Sequence, residues 1–160
     1  MCREYIKGGE IVDRIAWDDY FMKIALTVAE RSGCIKRGVG SVIVKDRRIL
    51  ATGYNSAPCG VKECKERGYC LRANSKQGKD LDFCYAVHSE QNAILQLAKY
   101  GIVGEGSTIY VTLFPCVHCM KLIINCGIKE IVYLEDYDSA LSKHLAELSG
   151  IKIRKFKEDK

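Results

Sequence analysis

Two short motifs, each leading into an apolar repeat of helical period, constrain the fold of this 160-residue chain most strongly. The first is His-Ser-Glu at residues 88–90, and the second is Pro-Cys-Val-His-Cys at residues 115–119. Apolar residues follow the motifs at the spacing of one helix face: Ala93, Ile94, Leu97 and Ala98, then Met120, Ile123 and Ile124. This spacing predicts that each motif lies on the first turn of a helix, and a proline at residue 115 suits a helix start.

The side chains of the two motifs match the ligands of a zinc ion. Cys116 and Cys119 are three residues apart and therefore share one face of their helix. The positive end of the helix dipole favours thiolate, the form of cysteine that binds metal. Together with the imidazole of His88 they make three protein ligands and leave the fourth tetrahedral position to water, which is the pattern of a catalytic zinc site.

Glu90 is placed for a different role. Side chains two residues apart on a helix do not point the same way, so Glu90 should face the bound water when His88 faces the metal. We therefore predict that Glu90 is the catalytic general base and not a ligand. The combination of H-x-E with P-C-x-x-C is typical of zinc-dependent nucleobase deaminases. A closed structural zinc knuckle is the alternative, but it gives no reason for the glutamate.

Composition and charge indicate one globular domain, expected to span residues 1–160. Hydrophobic residues make up 48% of the chain and charged residues 28%, which is ordinary for a domain with a full core. No apolar run approaches the ~20 residues of a membrane span, and the charged start of the chain does not resemble a signal peptide. We therefore expect a cytoplasmic protein without a membrane partner, whose nine cysteines are metal ligands or buried thiols.

The remaining patterns predict an α/β fold. The predicted helices are residues 17–31, 88–100, 115–126 and 138–148, and the predicted strands are residues 39–45, 48–54, 107–112, 130–134 and 151–156. This order predicts a five-stranded mixed sheet with helices on both faces, in which the later strands are parallel and the first two form a tight hairpin. Residues 1–16 show little pattern and are expected to be irregular. Residues 55–87 form a polar, cysteine-bearing insertion.

Four segments of the chain together resemble the deoxycytidylate (dCMP) deaminases of the cytidine deaminase-like superfamily, in the bacterial and archaeal type related to the competence-operon deaminases. The segments are HSEQNAI, TLFPCVHC, GYNSAPCG and KEIVYLEDYD. The resemblance implies the three-layer cytidine deaminase-like fold and hydrolytic, zinc-dependent deamination of dCMP to dUMP and ammonia, which supplies thymidylate synthesis. It also implies a homo-oligomer, a hexamer, that is activated by dCTP and inhibited by dTTP with Mg²⁺.

The resemblance further implies two contacts with the substrate. Asn55 is expected to contact the sugar or the phosphate of the nucleotide, and Tyr137 its phosphate. Structural roles remain open for both residues, because Asn55 would also hold the turn after a strand and Tyr137 would also cover the edge of the sheet. Ser56 stands where the family usually has glycine, and this departure bears on the backbone shape of the loop.

A second, structural zinc site is expected at the insertion. Its predicted ligands are four thiolates, Cys34, Cys64, Cys70 and Cys84. Phage proteins that resemble this chain hold such a zinc with cysteines matching Cys34 and Cys64 and with histidines, whereas this chain has no histidine before its first zinc motif. Cys59 is an alternative ligand, and free buried thiols are the alternative to the site as a whole.

Two other functions remain open. A tRNA adenosine deaminase shares both zinc motifs, but it typically joins the second strand to the zinc helix by a much shorter loop. RNA editing also calls for a basic surface and for bases stacked on aromatic side chains, whereas the insertion offers mainly Tyr69, Phe83 and Tyr85, so no nucleic-acid partner is expected. The competence-operon relatives suggest the second alternative, a non-catalytic zinc module that assists DNA uptake.

Overall fold

The computed structural model of the chain describes residues 4–7, 10–76 and 78–158. The strands are β1 (Glu4–Lys7), β2 (Glu10–Asp13), β3 (Gly40–Lys45), β4 (Arg48–Tyr54), β5 (Thr108–Leu113), β6 (Glu130–Glu135) and β7 (Lys152–Lys155). The helices are α1 (Trp17–Glu30), α2 (Cys64–Arg67), α3 (Ser89–Tyr100), α4 (Val117–Asn125) and α5 (Ala140–Ser149), with a 3-10 helix at Leu81–Phe83. Each helix and strand predicted from the sequence lies within two residues of its observed bounds.

The main sheet has the strand order β4-β3-β5-β6-β7. Strand β3 pairs antiparallel with β4 and β5, whereas β5, β6 and β7 run parallel. Helices α4 and α5 make the crossovers between the parallel strands, as parallel pairing requires. The predicted five-stranded mixed sheet is therefore confirmed.

Apolar cores lie on both faces of this sheet because side chains alternate along each strand. One core joins α1 to the sheet through Phe21, Met22, Ala25, Val42, Val44, Tyr110 and Val132. The other joins α3, α4 and α5 to the opposite face through residues that include Ile43, Ala93, Leu97, Ile109, Val111, Met120, Ile123, Ile131 and Ala146. The molecule thus has the three layers that the sequence predicts, with α1 on one face and three helices on the other.

Two glycines allow the helices to pack closely on the sheet. A Cβ atom at Gly53 in β4 would collide with the backbone of α3 at Ser89 and Ala93. A Cβ atom at Gly40 in β3 would collide with the backbone of α1 at Ala25 and Ala29. The missing side chains therefore set the distance of both helices from the sheet. The His-Ser-Glu motif lies at the N-terminus of α3, so Gly53 also sets the distance of this motif from the sheet.

The β3–β4 connection confirms the predicted tight hairpin. Its two central residues, Asp46 and Arg47, have φ values of 50° and 61°. Positive φ at both positions is what a two-residue type I′ turn requires, and this turn matches the twist of the strands.

The expectation that residues 1–16 are irregular is wrong for two segments. Strands β1 and β2 pair antiparallel with Glu4 opposite Asp13, in a sheet separate from the main one. Each strand has four residues, which is too short for alternation to be recognised, although two glycines stand between them and are a hairpin signal. Residues 1–3 and 8–9 lie outside the described part of the chain.

The insertion is ordered by contacts at its ends and with the loop that follows α1. Ser56 and Val87 form an antiparallel bridge, with backbone N–H···O distances of 2.8 and 3.2 Å, which closes the base of the insertion. The backbone N–H of Lys65 donates to the carbonyl of Gly33 at 3.0 Å, and its ammonium donates to the carbonyl of Ser32 at 2.6 Å. Ser56 is not among the described non-glycine residues with positive φ, so serine fits there without strain.

No helix in the described ranges combines the length and the apolar character needed to cross a membrane.

Candidate active site

Helices α3 and α4 place the three predicted zinc ligands at their N-termini. His88 is the residue immediately before α3, and Cys116 is the residue immediately before α4; both have extended backbone. Cys119 lies in the first turn of α4. Because α4 follows the carboxyl end of β5, the site lies where ligands commonly bind in open α/β sheets.

The spacing of the three donor atoms fits a zinc ion. Nδ1 of His88 lies 3.5 Å from Sγ of Cys116 and 3.4 Å from Sγ of Cys119. Zinc bonds of ~2.3 Å to sulfur and ~2.1 Å to nitrogen at the tetrahedral angle would place these atoms about 3.6 Å apart. Within the described residues, this is the only group of three His, Cys, Asp or Glu side chains whose ligand atoms all lie within 4.8 Å of one another. The group offers three ligands and leaves one tetrahedral position open.

The ionisation of the two thiols is strongly coupled. The hydrogen bond with Cys119 lowers the pKa of Cys116 to about 4, against the opposing effect of burial and with help from His88. The same hydrogen bond, followed by burial, raises the pKa of Cys119. The hydrogen bond with Cys116 raises the pKa of His88. Because zinc binds thiolate, binding of a metal ion at this pair is coupled to release of protons.

Glu90 lies beside this cluster and is only 4% exposed. It occupies the first turn of α3, and its Oε2 accepts a hydrogen bond of 2.9 Å from the hydroxyl of Ser89. Burial raises the pKa of Glu90, although the charge of His88 and a backbone hydrogen bond act in the opposite direction. A raised pKa brings a carboxyl group closer to the range in which a general acid–base works.

A cavity of about 370 Å³ opens above these residues. This volume lies within the range of ~300–1,000 Å³ that is usual for small-molecule sites. His88, Glu90 and Cys116 line one part of the cavity, and residues of the insertion line another. The insertion therefore forms a wall of the candidate active site.

Asn55 lines the cavity, but its amide is largely occupied by the backbone. Its Oδ1 accepts a hydrogen bond of 2.7 Å from the N–H of Val39, and its Nδ2 donates to the carbonyl of Arg37 at 2.9 Å. These bonds hold the segment that enters β3, which is the structural role left open by the sequence. One amide hydrogen and one lone pair remain for a ligand.

Tyr137 also lines the cavity, two residues after the end of β6. Its hydroxyl lies against the backbone of Gly78 in the insertion, where even a Cβ atom would collide with it. Gly78 has a φ of 75°, which favours glycine independently. Tyr137 thus joins the end of the sheet to the insertion.

The four cysteines predicted to hold a second zinc all line this cavity: Cys34, Cys64, Cys70 and Cys84. Burial raises the pKa of Cys64, and the neighbouring Cys70 and Cys34 raise it further. The sulfur of Cys64 accepts a hydrogen bond of 3.2 Å from Arg67. Unlike the ligand atoms of the first site, these four sulfurs do not all lie within 4.8 Å of one another. The second zinc site stays a prediction.

The motifs alone do not identify the residues that hold His88 in place. The backbone N–H of His88 donates to Oε1 of Gln91 at 2.9 Å, and Nδ2 of Asn92 donates to the carbonyl of Tyr54 at 2.8 Å. A glutamine three residues after a helix cap is a recognised signal for such a bond, whereas nothing local indicates the contact of Asn92 with β4.

Comparisons with known proteins agree with this geometry. The sequence model of the cytidine and deoxycytidylate deaminase zinc-binding region matches residues 15–135. Deoxycytidylate deaminase of Schizosaccharomyces pombe is 41% identical over 148 residues, which cover 89% of this chain but only 45% of that protein. ComE operon protein 2 of Bacillus subtilis is 39% identical over 150 residues, covering 92% of this chain and 75% of that protein.

Among solved structures, dCMP deaminase from the cyanophage S-TIM5 in complex with dCMP and dUMP has a TM-score of 0.74 and 25% identity. The match covers 95% of this chain and 100% of the phage chain. The family match includes both zinc motifs, and the described structure brings the two motifs together around one cavity. The chain therefore belongs to the cytidine and deoxycytidylate deaminase family.

Proposed function

We propose that this protein hydrolyses dCMP to dUMP and ammonia, and that the reaction supplies dUMP for thymidylate synthesis. The observation that carries the proposal is a buried carboxyl group, Glu90, beside the cluster of His88, Cys116 and Cys119 in one cavity. The deoxycytidylate deaminase of S. pombe and the S-TIM5 enzyme bound to dCMP and dUMP support dCMP as the substrate.

In this mechanism His88, Cys116 and Cys119 would hold a zinc ion, and Glu90 moves protons. Zinc held there would supply a water molecule activated at neutral pH. Glu90 accepts a proton from the attacking water and delivers it to N3 of the cytosine ring, while the water oxygen adds to C4. Glu90 then transfers the remaining proton of the added oxygen to the amino group at C4. The C4–N bond breaks, ammonia leaves, and the C4 carbonyl of uracil forms.

The surroundings of Glu90 suit a residue that accepts and releases a proton in turn. Burial raises its pKa towards the working range of a general acid–base, and the Ser89 hydroxyl holds one of its oxygens. Asn55 and Tyr137 line the same cavity and are proposed to contact the sugar and the phosphate of the nucleotide.

The test is ammonia release and loss of cytosine absorbance by the purified, zinc-loaded protein. The substrates are dCMP, dCTP, deoxycytidine, CMP and a tRNA anticodon stem-loop. We expect turnover of dCMP that is abolished in Glu90→Ala. Activity on the stem-loop alone would place the protein with the tRNA adenosine deaminases. No activity on any substrate with zinc bound would favour the remaining alternative, a non-catalytic zinc module that assists DNA uptake.

A second, structural zinc held by Cys34, Cys64, Cys70 and Cys84 is part of the proposal. It is supported by the presence of all four cysteines in the lining of one cavity. Metal analysis should find two zinc ions per chain, with one lost in Cys64→Ser and the other in Cys119→Ser. A single zinc in the unaltered protein, with unchanged folding of Cys64→Ser, would contradict the second site.

We also propose a cytoplasmic homohexamer that is activated by dCTP and inhibited by dTTP with Mg²⁺, on the strength of the resemblance to the dCMP deaminases. Light scattering gives the oligomer size. Saturation curves for dCMP with and without each triphosphate give the regulation, and a hyperbolic curve that neither effector changes would contradict it.

A further inference from the structure

The part of the cavity formed by the insertion and the loop after α1 is cationic. Lys36, Arg37 and Arg72 line the cavity, whereas Glu90 is the one acidic residue among the described residues of its lining. Glu90 lies at the zinc motifs, so the cations have no acidic neighbour within the cavity wall. Such an arrangement favours a ligand with negative charge at one end.

Of these three cations, Arg72 has the most hydrogen-bond donors available for a ligand. Arg37 forms an ion pair with Glu135 outside the cavity lining. The ammonium of Lys36 donates to the carbonyls of Arg72 and Ser75, at 2.6 and 2.8 Å. Arg72 donates from Nε to the carbonyl of Lys79 at 2.9 Å, and within the described residues its terminal nitrogens have no hydrogen-bond partner.

These contacts orient the Arg72 side chain. The bond from Nε fixes the plane of the guanidinium, and the bond from Lys36 holds the backbone of the same residue. A guanidinium that is fixed at Nε presents its two terminal amino groups as a fork, which matches two oxygens of a phosphate group.

The surroundings of Tyr137 connect the position of Arg72 with that of the zinc motifs. Its hydroxyl contacts Gly78, six residues after Arg72 in the insertion. Burial raises the pKa of Tyr137; the charge of Cys116 raises it further, and the charge of Arg72 lowers it. Arg72, Glu90 and Tyr137 all line one cavity, so a nucleotide with its base at Glu90 has Arg72 in the wall of the same cavity.

We propose that Arg72 binds the 5′-phosphate of the substrate and that the insertion thereby makes the enzyme specific for nucleoside monophosphates over free nucleosides. This inference rests on the proposed function, since it takes a cytosine nucleotide as the ligand. Lys36 is a positioning residue in this arrangement, because it holds the turn that carries Arg72 through two backbone carbonyls.

The experiment compares Arg72→Ala and Arg72→Lys with Lys76→Ala, a matched control that removes an exposed positive charge from the same insertion outside the cavity lining. Calorimetry measures the binding of dUMP and of deoxyuridine to each zinc-loaded protein, and ammonia release gives kcat/KM for dCMP. Arg72→Ala should weaken dUMP binding and lower kcat/KM for dCMP by about 10- to 100-fold, as expected for a lost charged hydrogen bond. Binding of deoxyuridine to Arg72→Ala should stay unchanged. Arg72→Lys should give intermediate values of dUMP binding and of kcat/KM, and Lys76→Ala should match the unaltered protein in both.

Two results would overturn the inference. One is unchanged dUMP binding in Arg72→Ala. The other is an equal loss of dUMP and deoxyuridine binding, which would show that Arg72 only maintains the shape of the insertion through Lys79. If the unaltered protein binds dUMP but does not deaminate dCMP, the proposed function fails, while the comparison of dUMP with deoxyuridine still decides the role of Arg72.

Discussion

Glu90 is the residue on which the proposed chemistry depends most directly. It is buried, it accepts one hydrogen bond from Ser89, and it lines the same cavity as His88 and Cys116. Glu90→Gln preserves the size of the side chain but removes its capacity to shuttle protons. We expect kcat for dCMP to fall by roughly 10²- to 10⁴-fold, with zinc content unchanged, as measured by ammonia release and metal analysis.

Ser89→Ala is the matched control for this substitution. It removes one hydrogen bond to Glu90 and leaves the carboxyl group in place, so we expect a smaller loss of about tenfold. If Glu90→Gln retained a rate similar to that of Ser89→Ala, proton transfer by Glu90 would not be the basis of catalysis.

The sequence was sufficient to predict which residues cluster at the site, because the four residues lie at two helix starts. His88, Cys116 and Cys119 come together once α3 and α4 form where the apolar repeat predicts them. The hydrogen bonds of Asn55 and the position of Arg72 could not be predicted in the same way. Both depend on how the insertion and the loop after α1 fold against each other, and neither segment has a periodic pattern.

The contact between β4 and α3 determines where Glu90 lies relative to the sheet. A Cβ atom at Gly53 would collide with the carbonyl oxygen of Ser89 and with the backbone nitrogen of Ala93. Gly53→Ala should therefore push α3 away from the sheet and destabilise the protein by about 2–3 kcal/mol, as overpacking does. It should also reduce activity, because the displaced turn carries Glu90. Urea unfolding and ammonia release measure the two effects.

Gly150→Ala separates this collision from the conformational cost of replacing glycine. Gly150 ends α5 with a φ of 71°, and no atom lies near the position of an added Cβ. We expect a loss of roughly 1 kcal/mol from the left-handed backbone alone, with activity retained. Equal losses of stability in the two variants would argue against close packing of α3 as the function of Gly53.

Helices with a long periodic pattern were predicted well, whereas the short elements at the start of the chain and in the insertion were not. Helix α1 has 14 residues and helix α3 has 12, so each shows several turns of its apolar face. Strands β1 and β2 have four residues each, and the insertion contains one four-residue helix and one three-residue 3-10 helix. The structure of these segments is determined by contacts with distant residues, such as the bridge between Ser56 and Val87, and local sequence does not encode such contacts.

A polar network joins the first helix of the main body to the last strands of the sheet. Asp18 in α1 accepts hydrogen bonds from the hydroxyl of Tyr110 at 2.7 Å and from both terminal nitrogens of Arg154 in β7. Arg154 and Lys152 also contact Glu130 of β6, at 3.3 and 3.0 Å. The network therefore connects segments that are far apart in the chain and holds α1 against the edge of the sheet where β6 and β7 pair.

This network makes part of the stability dependent on pH. Burial tends to raise the pKa of Asp18, but the hydrogen bonds from Arg154 and Tyr110 outweigh it, and the pKa in the folded protein is lowered. The ionised carboxylate thus favours the folded state. Its contribution is present above the unfolded pKa of ~3.9 and is lost as the pH falls through the lower pKa of the folded state.

Asp18→Asn should lower the free energy of unfolding by about 1 kcal/mol at pH 7, a modest value because the side chain is 35% exposed and partly screened by water. The difference from the unaltered protein should shrink as the pH is lowered from 5 to 3, because Asp18 of the unfolded state then binds a proton more readily than Asp18 of the folded state. Urea unfolding at pH 7, 5 and 3 measures this difference in the free energy of unfolding. Asp136→Asn is the matched control. Asp136 pairs with Lys155, next to Arg154, but the side chain of Asp136 is 59% exposed. This substitution should therefore have little effect on the free energy of unfolding at any of these pH values. A loss in Asp18→Asn that is as large at pH 3 as at pH 7 would show that packing, and not the charge of Asp18, holds α1 to the sheet.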